Sequence, residues 1–204
     1  MGNLSLSQST IPPLRLATFV YPFSCRKITA SLLLKPTVST IIKAFVFDID
    51  GVLSLQTINL NSFGVPNRTV NLRDGYALQL AVKKGYHVAV ISGSNCKEYI
   101  KRLKLLGVTD IYLNSKTKLN HFESFLKKYN LDYSEVLFMG DDIPDFEVMK
   151  KAGMPVCPSD ADSEIKQLAS YISDKKGGEG CVRDIIEQVM RLHNKWLDAD
   201  AFTW

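Results

Sequence analysis

The stretch Ile41-Ile42-Lys43-Ala44-Phe45-Val46-Phe47-Asp48-Ile49-Asp50-Gly51 decides how this chain is read. Its β-branched and aromatic run has the length and character of a strand buried on both faces, as in a parallel sheet. The run ends on two carboxylates spaced i, i+2. Gly51 follows and permits a tight turn with close backbone approach to a ligand. Asp is also an ordinary turn and cap residue, so the pair alone is equally a structural feature.

Downstream, the construction recurs. Residues 135–139 form a second apolar strand running into Gly140-Asp141-Asp142, with Asp145 three residues on. Between and beyond these, strand and helix patterns alternate. A helix begins at Asp74 and closes at Gly85. His87–Ile91 reads as a strand ending in Ser92-Gly93-Ser94, followed by a helix over residues 95–106, a strand over 110–113 and a helix over Lys118–Tyr129. A helix over 145–152, a strand over Met154–Cys157, a helix over 163–169 and a strand over 171–173 come next. Gly177-Gly178-Glu179-Gly180 reads as a mobile loop ahead of a final helix over 182–196. The expected architecture is a doubly wound, mainly parallel α/β sheet, which binds ligands beyond the carboxyl ends of its strands. Residues 54–71 read as a projecting β-hairpin with arms near 56–60 and 68–72.

Composition bounds the rest. The 204 residues are 46% apolar and 23% charged, ordinary for one globular domain. Five of the 25 basic residues and none of the 21 acids precede Asp48, so the remainder carries 20 basic against 21 acidic groups. The net charge of +4 belongs to the N-terminal extension, and the body has no footprint for nucleic acid. Residues 1–40 are expected to be a disordered or processed extension, 41–197 the folded domain and 198–204 a tail. Cys25, Cys96, Cys157 and Cys181 are too widely spaced for a zinc site or a close redox pair, which fits a reducing cytosol. No apolar run approaches the roughly 18–20 residues that span a bilayer.

Carboxylates from two strand tips repel unless a hard cation sits among them, and oxygen-only ligation suits Mg²⁺. Ser92 and the N–H groups around Gly93 can hold a phosphate oxygen. Lys118 stands at a helix start, where a cation opposes the helix dipole and neutralising a phosphate would give it a reason; Lys116 is its competitor. Asp142 and Asp145 read either as helix caps or as support for the cation.

Asp48-Ile49-Asp50-Gly51-Val52-Leu53-Ser54, Ile91-Ser92-Gly93, Lys118 and Gly140-Asp141-Asp142-Ile143-Pro144-Asp145 together resemble the four ordered motifs of the haloacid dehalogenase superfamily of phosphatases, over about residues 41–196. The resemblance implies Asp48 as nucleophile, Asp50 as acid and base, and Mg²⁺ held by Asp48, the backbone carbonyl of Asp50 and Asp141, with Asp145 supporting. Ser92, Gly93 and Lys118 would hold phosphate. The short segments after the first and second motifs leave no room for a cap domain.

Asn71-Leu72-Arg73-Asp74-Gly75 and the tail Lys176-Gly177-Gly178-Glu179-Gly180-Cys181-Val182-Arg183 further resemble the 3-deoxy-D-manno-octulosonate (KDO) 8-phosphate phosphatase family. That resemblance implies a small sugar-acid phosphate as substrate, a cytoplasmic homotetramer assembled around its hairpins, and neighbouring chains closing each site. Arg73 is the expected partner of the substrate carboxylate, a bidentate match for guanidinium. Glu179 departs from the basic residue many relatives carry there. Phosphatases of nine-carbon sugar acids share the Gly-Gly-Glu-Gly tail and remain an alternative, as does a non-catalytic tetramerisation module.

Overall fold

The computed structural model describes residues 42–203; the expected extension over residues 1–40 lies outside them. Six strands, β1 (Ala44–Phe47), β2 (His87–Ile91), β3 (Asp110–Tyr112), β4 (Val136–Met139), β5 (Met154–Cys157) and β6 (Tyr171–Ile172), form one sheet in the order β3-β2-β1-β4-β5-β6. Every pairing is parallel. The doubly wound expectation holds.

Alternating residues of β1 serve opposite faces, which is why the run reads as continuously apolar. Phe45 and Phe47 enter a core with α1 (Leu72–Lys83), α2 (Lys97–Leu105) and α6 (Cys181–Leu192). Ala44 and Val46 enter the opposite core, under α3 (Lys118–Tyr129), α4 (Phe146–Lys151) and α5 (Ser163–Leu168). The switch in chain direction falls at β1, whose neighbours are β2 and β4. Phe47 pairs with both Val90 and Met139, so the residues following all three strands emerge side by side.

Four local expectations need correction. The helix expected from Asp74 starts at Leu72, because the Asn71 side chain accepts from the N–H groups of Arg73 and Asp74 and caps the turn. The expected hairpin makes one antiparallel bridge, Leu60 with Pro66, plus flanking backbone bonds; its arms form no strands. Its return arm instead turns into α1. The Gly177–Gly180 segment is fastened: Gly177 donates to Asp160 Oδ1 at 2.9 Å and Gly178 to the Val52 carbonyl at 2.8 Å. A Cβ at Gly177 would lie 1.9 Å from the Gly51 oxygen, so glycine here permits backbone to lie on backbone. Finally, α6 ends at Leu192, and Trp196 lies beyond it, buried edge-on against Tyr76.

Residues 198–203 do not trail free. A 3-10 turn, Ala199–Phe202, lies on α1, where Lys84 pairs with Asp198 and Asp200 and the Tyr76 hydroxyl donates to the Ala201 carbonyl. Cys96, Cys157 and Cys181 are buried free thiols. Among the described residues no helix is long and apolar enough to cross a membrane.

Candidate active site at the strand tips

Asp48 follows β1 and donates its backbone N–H to the Met139 carbonyl at 3.1 Å, which ties the first tip to the second. Gly51 takes φ +83°, and a Cβ there would strike the Asp141 carboxylate, 1.9 Å from Oδ2. Only glycine lets the two acidic tips close up. Candidate ligand oxygens of Asp48, Asp141 and Asp145 lie within 4.8 Å of one another, and all three residues are buried.

Lys118 penetrates this cluster from the start of α3. Its Nζ lies 3.0 Å from Asp48 Oδ1 and 2.7 Å from Asp145 Oδ1, with only 5% of the side chain exposed. The position that looked unfavourable against the helix dipole is explained by two buried carboxylates. Burial opposes the lysine's charge, but Asp145 and Asp48 outweigh it and raise its pKa. Burial pushes the Asp48 carboxyl well above the ordinary range, Asp145 pushes the same way, and Lys118 only partly offsets them. Burial, aided by Asp145, lifts Asp141 to about 7 against the hydrogen bond from Gln56.

Two buried carboxylate oxygens, Asp48 Oδ1 and Asp141 Oδ1, have no hydrogen-bond partner. Asp48 Oδ1 has the lysine as an ion pair without an aligned hydrogen bond. Orphaned buried oxygens converging from two strands are what a hard divalent cation satisfies. Asp145 has less to offer: Lys118 takes its Oδ1, and the Asp141 N–H donates to its Oδ2 at 3.2 Å. It holds the other members in place. Asp142 caps, accepting from the Ile143 N–H at 2.8 Å, and is exposed.

The Asp50 carboxylate stands outside this cluster. Both its oxygens are gripped by Arg68, at 2.7 and 2.9 Å. Ser92 is buried at the tip of β2, its Oγ accepting from the Ser94 N–H at 3.2 Å, and Gly93 is exposed beside it. Asp48, Asp50, Ser92, Gly93, Lys118, Asp141, Asp142 and Asp145 all line one open cleft of about 760 Å³, a volume that admits a sugar phosphate. Arg73 is not among the residues that line it; it is exposed on the first turn of α1. The sequence reading missed Arg68, Gln56 and Asp160. Arg68 had a signal, being the only charged residue over positions 54–71, and Asp160 closely follows β5; Gln56 stands among other polar residues and had none.

The comparisons with known proteins agree with this geometry. A family model described as haloacid dehalogenase-like hydrolase matches residues 106–185. The KDO 8-phosphate phosphatase KdsC of Escherichia coli K12 is 32% identical over 158 residues, covering 78% of this chain and 84% of the relative. This chain belongs to that phosphatase family, within the haloacid dehalogenase-like hydrolases. The crystal structure of the family's enzyme from Yersinia pestis superimposes with a TM-score of 0.75 at 29% identity, over 78% of this chain and 85% of that one. The Moraxella catarrhalis enzyme, solved in complex with magnesium ion, phosphate ion and KDO, gives 0.74 at 30% identity, over 77% and 90%. Like these relatives, the chain has a single parallel sheet with helices on both faces. The two segments that house caps elsewhere hold only the short hairpin (residues 54–71) and one helix with a strand (residues 94–117).

Proposed function

We propose that this phosphatase is Mg²⁺-dependent and hydrolyses KDO 8-phosphate, or a close sugar-acid phosphate, through an aspartyl phosphate on Asp48. The observation that carries the reading is the convergence of Asp48 and Asp141 oxygens that lack a hydrogen bond, beside Lys118. The E. coli relative and the Moraxella complex support the substrate and the metal.

Asp48, Asp141 and the Asp50 backbone carbonyl would hold Mg²⁺, with Asp145 as their support. When bound, the cation offsets charge on the phosphoryl oxygens and on the carboxylates that face them. Lys118 does the same from the α3 side, and Ser92 Oγ with the neighbouring N–H groups takes a phosphate oxygen. A carboxylate oxygen of Asp48 forms a bond to phosphorus as the bond to the sugar oxygen breaks, and Asp50 gives that oxygen its proton. Water then attacks phosphorus and passes a proton to Asp50. Phosphate leaves and Asp48 is regenerated.

A sugar acid brings a carboxylate into a cleft lined by Asp50, Asp142, Asp160 and Asp162, with Lys118 as the basic residue on its lining. A second copy supplying a basic group relieves that mismatch. The hairpin tip supports a homotetramer: Leu60, Phe63 and Val65 are 61%, 89% and 43% exposed with no core beneath them.

A panel of phosphorylated eight- and nine-carbon sugar acids, neutral sugar phosphates and nucleotides, with Mg²⁺ and with chelator, tests the reading. Turnover of the anionic sugars should lead, should vanish on chelation, and should fall by at least about a thousandfold in Asp48→Asn. Equal turnover of neutral sugars, or activity surviving Asp48→Asn, would refute it.

A further inference from the structure

Arg68, which the mechanism above does not use, grips Asp50, a residue of the cleft lining. Its Nε donates to Asp50 Oδ1 at 2.7 Å and its Nη2 to Oδ2 at 2.9 Å, the two-pronged match of guanidinium to carboxylate. The arginine side chain is 10% exposed, while that of Asp50 is 40% exposed. Among the described residues Asp50's carboxylate has no other partner in hydrogen bonding or ion pairing.

Arg68 is itself held. The neighbouring Thr69 N–H donates to Ser54 Oγ at 2.9 Å, and Thr69 Oγ1 accepts from the Leu55 N–H at 3.0 Å. The buried Tyr99 hydroxyl, shared between the Leu53 and Thr69 carbonyls at 3.0 and 3.3 Å, closes the frame from α2. Ser54 in turn accepts from Gly51 N–H through its carbonyl, one residue beyond Asp50. The return arm of the loop is thus stitched to the motif that carries Asp50, and the arginine is presented from a fixed backbone.

We propose that Arg68 is a positioning residue: it holds the Asp50 carboxyl in the one orientation from which it can exchange a proton with the leaving oxygen. A half-exposed aspartate on a loop otherwise samples several staggered side-chain positions. Proton transfer demands hydrogen-bond reach, and small misplacements are expensive in rate. The inference rests on the acid–base role given to Asp50 above, and it adds that this role fails without a residue eighteen positions away on a loop the four motifs do not include.

The test compares two leaving groups in the Mg²⁺-loaded full-length enzyme. A sugar alkoxide needs a proton in order to leave; 4-nitrophenolate does not. Because kcat/KM reports events up to the first irreversible step, it isolates bond breaking from water attack. Arg68→Ala should lower kcat/KM for the alkyl sugar phosphate about 10- to 100-fold, and for 4-nitrophenyl phosphate at least about fivefold less, a part of the roughly 10²–10⁴-fold that a positioned acid contributes. Arg68→Lys, a point donor that cannot grip both oxygens, should fall between wild type and Arg68→Ala and decides the matter if the alanine variant does not fold. Equal losses on both substrates, or no loss in either variant, would overturn the proposal. Asp48→Asn is the separate control: its retaining activity would sink the aspartyl-phosphate reading, whatever Arg68 does.

Discussion

Replacing Lys118 with methionine keeps the unbranched stem as far as Cε and removes the cation that, among the described residues, pairs with the acidic cluster. Asp48 and Asp145 lose partners at 3.0 and 2.7 Å, and both stay buried. Breaking a buried pair by deleting one side typically costs about 3–5 kcal/mol, because the remaining charge is left uncompensated. Here the penalty has an escape that depends on pH. Burial already raises both carboxyls, and Lys118 works against that rise in each. Without the lysine they rise further, so the folded variant binds protons that the unfolded chain, with ordinary carboxyls, does not. Stability then falls as pH increases through that interval, by about 1.4 kcal/mol per pH unit for each extra proton bound. Denaturant unfolding of chelator-treated protein should show a deficit of about 3–5 kcal/mol near pH 8, shrinking to roughly 1–2 kcal/mol near pH 5.5. A deficit that is the same at both pH values, or absent at the higher one, would mean the lysine does not carry the electrostatics of the cluster.

Stabilisation by Mg²⁺ should follow the ionisation of Asp141, which burial holds at about 7 in the metal-free protein. Because that folded value lies above the unfolded one, the ionised group destabilises the empty site increasingly as pH rises through the window between them. A cation cancels this, so the thermal shift with excess Mg²⁺ should be large at about pH 8 and decline by close to tenfold in affinity per pH unit below about pH 7. Equal shifts across that range would contradict it. At the hairpin tip, Phe63→Glu puts a charge on a residue that is 89% exposed, so the monomer's fold should tolerate it. Light scattering should report a smaller species than wild type, and an unchanged mass would remove the hairpin from the assembly.

Much of the fold was legible in the chain because its signals are local. Strands buried on both faces read as unbroken apolar runs, and the helices between them carry their own stops, as at Gly85 with φ +82°. Lys118–Tyr129 and Met154–Cys157 appear with the expected ends. The acidic pairs at the ends of β1 and β4 were legible too, since each follows its strand directly and parallel topology sends both tips one way. What the sequence alone could not decide were distances between segments far apart along the chain. Gly51 has to be glycine because Asp141, ninety residues later, passes where its side chain would stand. Gly177 and Gly178 looked like flexibility and are contact surfaces. Arg73 and Arg68 are both arginines on one short segment, and nothing in their spacing tells which reaches the carboxylates. That depends on where the return arm crosses the motif loop, a matter of packing among Ser54, Thr69 and Tyr99. Local chemistry names the groups; only the closing of long loops determines which of them meet.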